Sequence, residues 1–206
     1  MPGSSQFGKL YTTLLLKKLY DLGMIRRVMD VGVGSGTYHN LLAEHLPDAD
    51  WIGVEVWEPY IERFDLRSLY GTLYNEDVRT LDFDEIGKLD LTLYGDILEH
   101  MTKEEAQAVM EKTLAASRLV LLSIPIVHYP QDEVEGNPYE VHVKDDWSHQ
   151  EVCTSFPNVL TAFVHDHIGV YCLSADEEMA RAVVQIHPVL SQMVEKNLPD
   201  DRIKWG

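Results

Sequence analysis

The residues best suited to chemistry sit in one short run, MDVGVGSGTY, from Met29 to Tyr38. Glycines recur at alternate positions: Gly32, Gly34 and Gly36. Glycine permits backbone angles that side chains forbid and lets a ligand approach the main chain closely. A helix beginning just beyond would add free N–H groups and a partial positive charge. Two acids flank the run. Asp30 precedes the first glycine, and Glu55 closes the next apolar stretch, Trp51–Val54. A carboxylate in that second place can hold both hydroxyls of a ribose. The spacing departs from the dinucleotide fingerprint G-x-G-x-x-G, because the third glycine comes one residue early and Thr37 stands in its place. The combination points to a nucleoside-bearing cofactor; the plain alternative is a tight turn.

The elements that would position these residues follow from periodicity. Phe7 to Met24 carries Leu10, Leu14, Leu15, Leu16 and Leu19, an amphipathic helix ended by Gly23. Arg27–Val31 is the first strand, Thr37–Leu46 a helix, and Trp51–Val56 the second strand. Pro59 opens a helix through about Leu69, since proline costs little in a first turn. Thr72–Asn75 and Leu89–Tyr94 are the next strands. Thr102 and Glu105 stand at capping-box spacing and start a helix through about Ser117. Leu119–Ile124 is nearly all apolar, as a strand covered on both faces should be. Ile126–Trp147 breaks the rhythm, and an irregular stretch of that length in a compact domain is usually functional or disordered. Ser148 and Glu151 start a short helix. Val159–Val164 and Gly169–Ser174 are joined too tightly for a crossover and must pair antiparallel. Beyond Asp176 come two helical pieces split at Pro188. The expected fold is α/β, a doubly wound Rossmann-like sheet, mostly parallel, with an antiparallel C-terminal hairpin.

Strand ends on one side of such a sheet point into a binding crevice. The fourth strand runs into YGDILEHM, so Tyr94, Asp96 and His100 fall there. Imidazole titrates near neutrality, and His100 is a candidate proton acceptor, or it caps and packs the turn. His128 and His142, with Tyr129, Tyr139 and Glu140, lie in the irregular segment and are the next candidates. No two histidines show a tight ligand spacing with a supporting acid, and His165–Asp166–His167 falls in a hairpin turn, so no metal is expected.

In order and spacing, MDVGVGSGTY, GVEVWEPYIERF, NEDVRTLDF and LDLTLYGDILEHM resemble the class I S-adenosylmethionine-dependent methyltransferases over residues 26–126. NPYEVHVKDDWSHQE, from Asn137 to Glu151, looks more loosely like a segment between strands five and six in small-molecule members. The resemblance implies one seven-stranded domain over residues 1–206, with a capping helix in 1–25, a substrate-side insertion at 126–147 and a helical tail at 176–206. It implies S-adenosylmethionine as cofactor. Gly32, Gly34 and Gly36 would lie against its amino-acid end and ribose. Asp30 would hold the ammonium, or merely brace the turn, and Glu55 the ribose. Asp77 would accept from the adenine amino group, or serve a turn, while the Val78 N–H donates to the ring. Val56 and Trp57 would cover the adenine faces, although tryptophan is as easily core or partner surface. Tyr94 and Asp96 would stand near the methyl group, and Tyr11 would touch the methionine end or simply pack.

Charge narrows the partners. Of 206 residues, 34 are acidic and 17 are Lys or Arg, a net charge of −17. That balance opposes nucleic acid, whose phosphates need clustered Lys and Arg. No apolar run is long enough for a bilayer, and MPGSSQFGKL lacks the pattern of a secretory signal, so a cytoplasmic, membrane-free protein is expected. The two cysteines, Cys153 and Cys172, read as reduced thiols, with a disulfide left open. The resulting expectation is methyl transfer to an oxygen or nitrogen of a small molecule, by a chain that could self-associate. A cofactor- or protein-binding domain without turnover is one alternative. A nicotinamide-dependent reductase is another, and the early third glycine speaks against it.

Overall fold

The computed structural model describes residues 6–197. Seven strands form one sheet: β1 (Arg27–Val31), β2 (Asp50–Val54), β3 (Thr72–Tyr74), β4 (Leu89–Gly95), β5 (Ser117–Pro125), β6 (Val159–His165) and β7 (Ile168–Leu173). Their spatial order is β3-β2-β1-β4-β5-β7-β6. Neighbours from β3 to β5 run parallel, and β7 runs antiparallel to both β5 and β6. After β3 the chain crosses back to lay β4 on the other side of β1, which opens a crevice at the ends of β1 and β4.

Helices cover both faces, as a parallel sheet requires. They are α1 (Lys9–Asp21), α2 (Thr37–Leu42), α3 (Glu58–Arg63), α4 (Phe83–Ile86), α5 (Lys103–Ala116), α6 (His149–Ser155) and α7 (Glu177–Asn197). Strand side chains alternate between two cores. Val28 faces a cluster with Leu15, Trp51, Tyr70 and Val183; Met29 and Val31 face one with Tyr94, Val109 and Trp147. The Thr102 capping box forms as expected, with Oγ1 accepting from the Glu105 N–H and the Glu105 carboxylate accepting from the Thr102 N–H.

Three local expectations need correction. Pro188 does not split the C-terminal helix; α7 runs through it. One lost hydrogen bond is outweighed by a continuous apolar stripe, Met179, Ala182, Val183, Ile186, Leu190 and Val194, packed against the core. The second helix ends at Leu42 rather than Leu46, and β2 at Val54 rather than Val56. The polar end of the chain beyond Asn197 lies outside the described residues. Both cysteines are free thiols. Among the described residues no helix is long and apolar enough to cross a membrane.

Candidate functional site

The glycine run makes the bend from β1 into α2. Gly32 has φ +66° and Gly34 has φ +55°, in the left-handed region that favours glycine. The Gly32 N–H donates to the Val54 carbonyl at 2.8 Å, which stitches the bend to β2. Glu55, the residue after β2, reaches back under it. Its Oε2 accepts from the Gly34 N–H and its Oε1 from the Trp57 N–H, both at 2.8 Å. The side-chain amide of Asn75 holds the same chain end by donating to the Glu55 carbonyl at 2.8 Å. Burial pushes the Glu55 carboxyl up, against the pull of the two backbone N–H groups. Each carboxylate oxygen keeps a lone pair beyond these bonds.

Two hollows open beside the bend and share Gly32, Ile97 and His100. The smaller, about 80 Å³, is a largely apolar slot bounded by Val54, Val56, Val78, Met101 and Tyr139. The larger, about 340 Å³, runs from the glycines along the end of β4 to the 126–147 segment. Its walls carry Asp96, Glu99, Tyr129, Glu140, His142 and His167. At its inner end the Tyr38 ring lies on Gly95, where a Cβ would come within 1.9 Å of Cε2. Asp96 follows with φ +58°, its N–H donating to the Ser123 carbonyl at 2.9 Å. Lys9, at the start of α1, sets its ammonium 5.0 Å from the centre of the Tyr38 ring.

The histidines on the wall have fixed tautomers. A carbonyl only accepts, so His100 Nδ1–H donates to the Val141 carbonyl at 3.2 Å and His142 Nδ1–H to the Tyr129 carbonyl at 2.5 Å. Their rings meet edge to face with centroids 4.9 Å apart. Burial, helped by His142, lowers His100 to about 4, so its imidazole is neutral near pH 7.

Gly32, Gly34, Val56, Asp77, Val78, Asp96, His100 and His142 all line one hollow or the other. Gly36 shapes the bend at φ +78° and forms the N-cap of α2. Four expectations are corrected. Asp30 does not face the crevice: it shares the pleat face of Val28 and accepts from the Tyr70 hydroxyl at 2.6 Å, fully inside the core. Tyr94 points to the opposite core, where its hydroxyl meets Thr113 Oγ1 at 2.6 Å. Trp57 leans on Tyr139, and it is Tyr139 that lines the slot. His128 stands 69% exposed beside Asp145 and outside both hollows. Tyr11 is packing, stacked on Phe163 with its hydroxyl on His187. Asp77 reaches the slot with a partner that sequence reading missed: Arg79 forks its carboxylate through Nε and Nη2, at 3.0 and 2.6 Å. Burial raises that carboxyl, but the guanidinium outweighs it and the net shift is downward.

Sequence reasoning also assigns no role to Glu99, Ile97, Gln131 or His167, all on the larger wall. The adjacency of Glu99 to His100 was the one signal available for it. His167 sits in the hairpin turn, where Phe7 packs on its ring at 4.9 Å.

Residues 28–118 match the sequence family described as a methyltransferase domain. No curated protein sequence matches the chain. Among solved structures, the N-terminal domain of EvdMO1 with SAH bound is similar at TM-score 0.60 and 18% identity, over 84% of this chain and 82% of that one. An S-adenosylmethionine-dependent methyltransferase from Clostridium acetobutylicum ATCC 824 is similar at TM-score 0.61 and 13% identity, over 84% and 93%. Magnesium protoporphyrin IX methyltransferase (ChlM) from Synechocystis PCC 6803 with bound SAH is similar at TM-score 0.58 and 15% identity, over 84% and 90%. The family match runs from β1 to the start of β5, and the sheet order is that of the Rossmann-like fold these similar structures share.

Proposed function

We propose that the protein transfers the methyl group of S-adenosylmethionine to an oxygen or nitrogen of a small molecule held in the larger hollow. The observation that carries this reading is the Glu55 carboxylate, bonded under the glycine bend where two hollows of different character meet. In it, the adenine enters the apolar slot between Val56, Val78 and Tyr139, with Asp77 at the edge. The ribose rests over Glu55, whose spare lone pairs accept its hydroxyls. The amino-acid end lies along Gly32 and Gly34 toward Asp96. The sulfonium methyl then faces the 340 Å³ hollow, a size that suits a metabolite rather than a polymer.

Transfer is an in-line displacement: the nucleophile's lone pair forms the new bond to carbon as the C–S pair returns to sulfur. The chain's work is positioning and exclusion of water. Tyr129, Glu140 and His142 form the outer wall that would orient the acceptor. Two similar proteins support a small acceptor by their own descriptions: the EvdMO1 domain was crystallised in the presence of SAH and D-fucose, and MmcR is described as a mitomycin 7-O-methyltransferase. This chain spans 54% of MmcR, at TM-score 0.57 and 14% identity.

Calorimetry with S-adenosylmethionine and SAH tests the reading. Both should bind the wild type, and Glu55→Ala should weaken them by about 1–3 kcal/mol, as for a lost charged acceptor. Folded wild-type protein that binds neither ligand would overturn the proposal, and an unchanged affinity in the variant would remove Glu55 from it. SAH release in a metabolite pool, followed by mass spectrometry, then identifies the acceptor.

A further inference from the structure

We infer that Glu99, His100 and His142 form a binding site for a first-row divalent transition-metal ion on the wall of the larger hollow. The three side chains come from the turn after β4 and from the irregular segment beyond β5. Their ligand atoms all lie within 4.8 Å of one another. All three line the hollow, so an ion there would reach its contents.

The state of each side chain is what a ligand needs. Glu99 is 2% exposed, and neither carboxylate oxygen has a hydrogen-bond partner. A buried carboxylate without a partner costs several kcal/mol in order of magnitude, and the usual resolution is a cation or a proton. Asp96 and Glu140 line the same wall and bring further carboxylates to it. The same surroundings favour a cation. Both imidazoles give their Nδ1–H to main-chain carbonyls, which leaves Nε2 of each as the ring's lone-pair donor. A hydrogen bond from the far ring nitrogen of this kind fixes the tautomer and aim of metal-ligating histidines.

The ligand set selects the ion. Two imidazoles and one carboxylate suit Zn²⁺, Mn²⁺, Fe²⁺ or Co²⁺, whereas Mg²⁺ prefers oxygen ligands and keeps its waters. Three protein ligands leave coordination positions open toward the hollow, as in catalytic rather than structural sites. The ion's part in turnover rests on the function proposed above; its binding does not. With S-adenosylmethionine present, an acceptor hydroxyl in an open position would lose its proton to solvent more readily. Its oxygen pair then bonds to the methyl carbon and the C–S pair stays on sulfur, giving the methyl ether, SAH and one released proton. The acceptor class is thus an alcohol or phenol.

The test uses full-length protein freed of metal by chelation, without cofactor or acceptor. Titrated with CoCl₂, the wild type should develop visible d–d absorption that saturates at one ion per chain, and ZnCl₂ should displace it while MgCl₂ at the same concentration does not. Glu99→Gln and His142→Ala should each weaken Co²⁺ binding at least tenfold, and His128→Ala should leave it unchanged. Glu99→Gln keeps the side chain's shape, and His142 is only part-buried, so circular dichroism of both variants should match the wild type. As a second readout, ZnCl₂ should raise the melting temperature of the wild type and of neither ligand variant. A wild type that develops no Co²⁺ spectrum, displacement by Mg²⁺, or folded ligand variants that bind as the wild type does would each overturn the site. S-adenosylmethionine calorimetry on the same metal-free protein reports separately on the methyltransferase reading.

Discussion

Asp30 carries an electrostatic cost that β1 imposes on it. The pleat turns its side chain away from the crevice and into the core, where burial pushes its carboxyl up to about 7 despite the Tyr70 hydrogen bond. An unfolded aspartate titrates near 3.9, so the folded state binds the proton more tightly between these values. Stability from this group is fully present below about pH 4, is lost as pH rises toward 7, and is gone above it. Asp30→Asn keeps an acceptor for Tyr70 and removes the titration. Its unfolding free energy relative to wild type should improve by about 2–4 kcal/mol between pH 4 and pH 8, read from urea melts at each pH. Parallel curves would mean that Asp30 stays ionised inside the core. Sequence pattern alone picked out Asp30 and Glu55 but not their aim, because an acid beside a glycine run looks the same whichever way the pleat turns it.

At the scale of elements, the bend works because it has no side chains. A methyl on Gly32 would stand 2.0 Å from Ile97 Cδ1, in a backbone conformation that L residues resist. Ile97 lines both hollows, so it can yield only by moving within them. Gly32→Ala should therefore cost about 1–2 kcal/mol in a denaturant melt and, in calorimetry, at least about tenfold in S-adenosylmethionine affinity. A variant that binds normally would show that the bend is not the ligand's bed. The strands, the capping box and this bend were legible because each rests on neighbours within a few residues: period-two apolar runs, a Thr and Glu three apart, alternating glycines. Glu99 and His142 lie 43 positions apart, and only an irregular segment with no repeating pattern brings them together. Pro188 misled for the opposite reason, since a local breaker was overruled by tertiary packing along all of α7.

For the whole molecule, the excess of 34 acids over 17 Lys and Arg should make the folded chain repel itself. Screening falls within about 10 Å at 0.1 M salt, so raising NaCl from low to physiological levels should raise the melting temperature by a few degrees. A fall instead would mean that ion pairs such as Arg118 with Asp176 and Glu178 outweigh the general repulsion. The contact of Tyr38 with bare Gly95 bears on how the crevice could be reshaped. The two positions act as a lock with one order of opening: no side chain fits at 95 until the ring at 38 has been cut down. Enlarging the chamber thus begins at Tyr38, and any lineage or engineering campaign that starts at Gly95 meets a steric dead end.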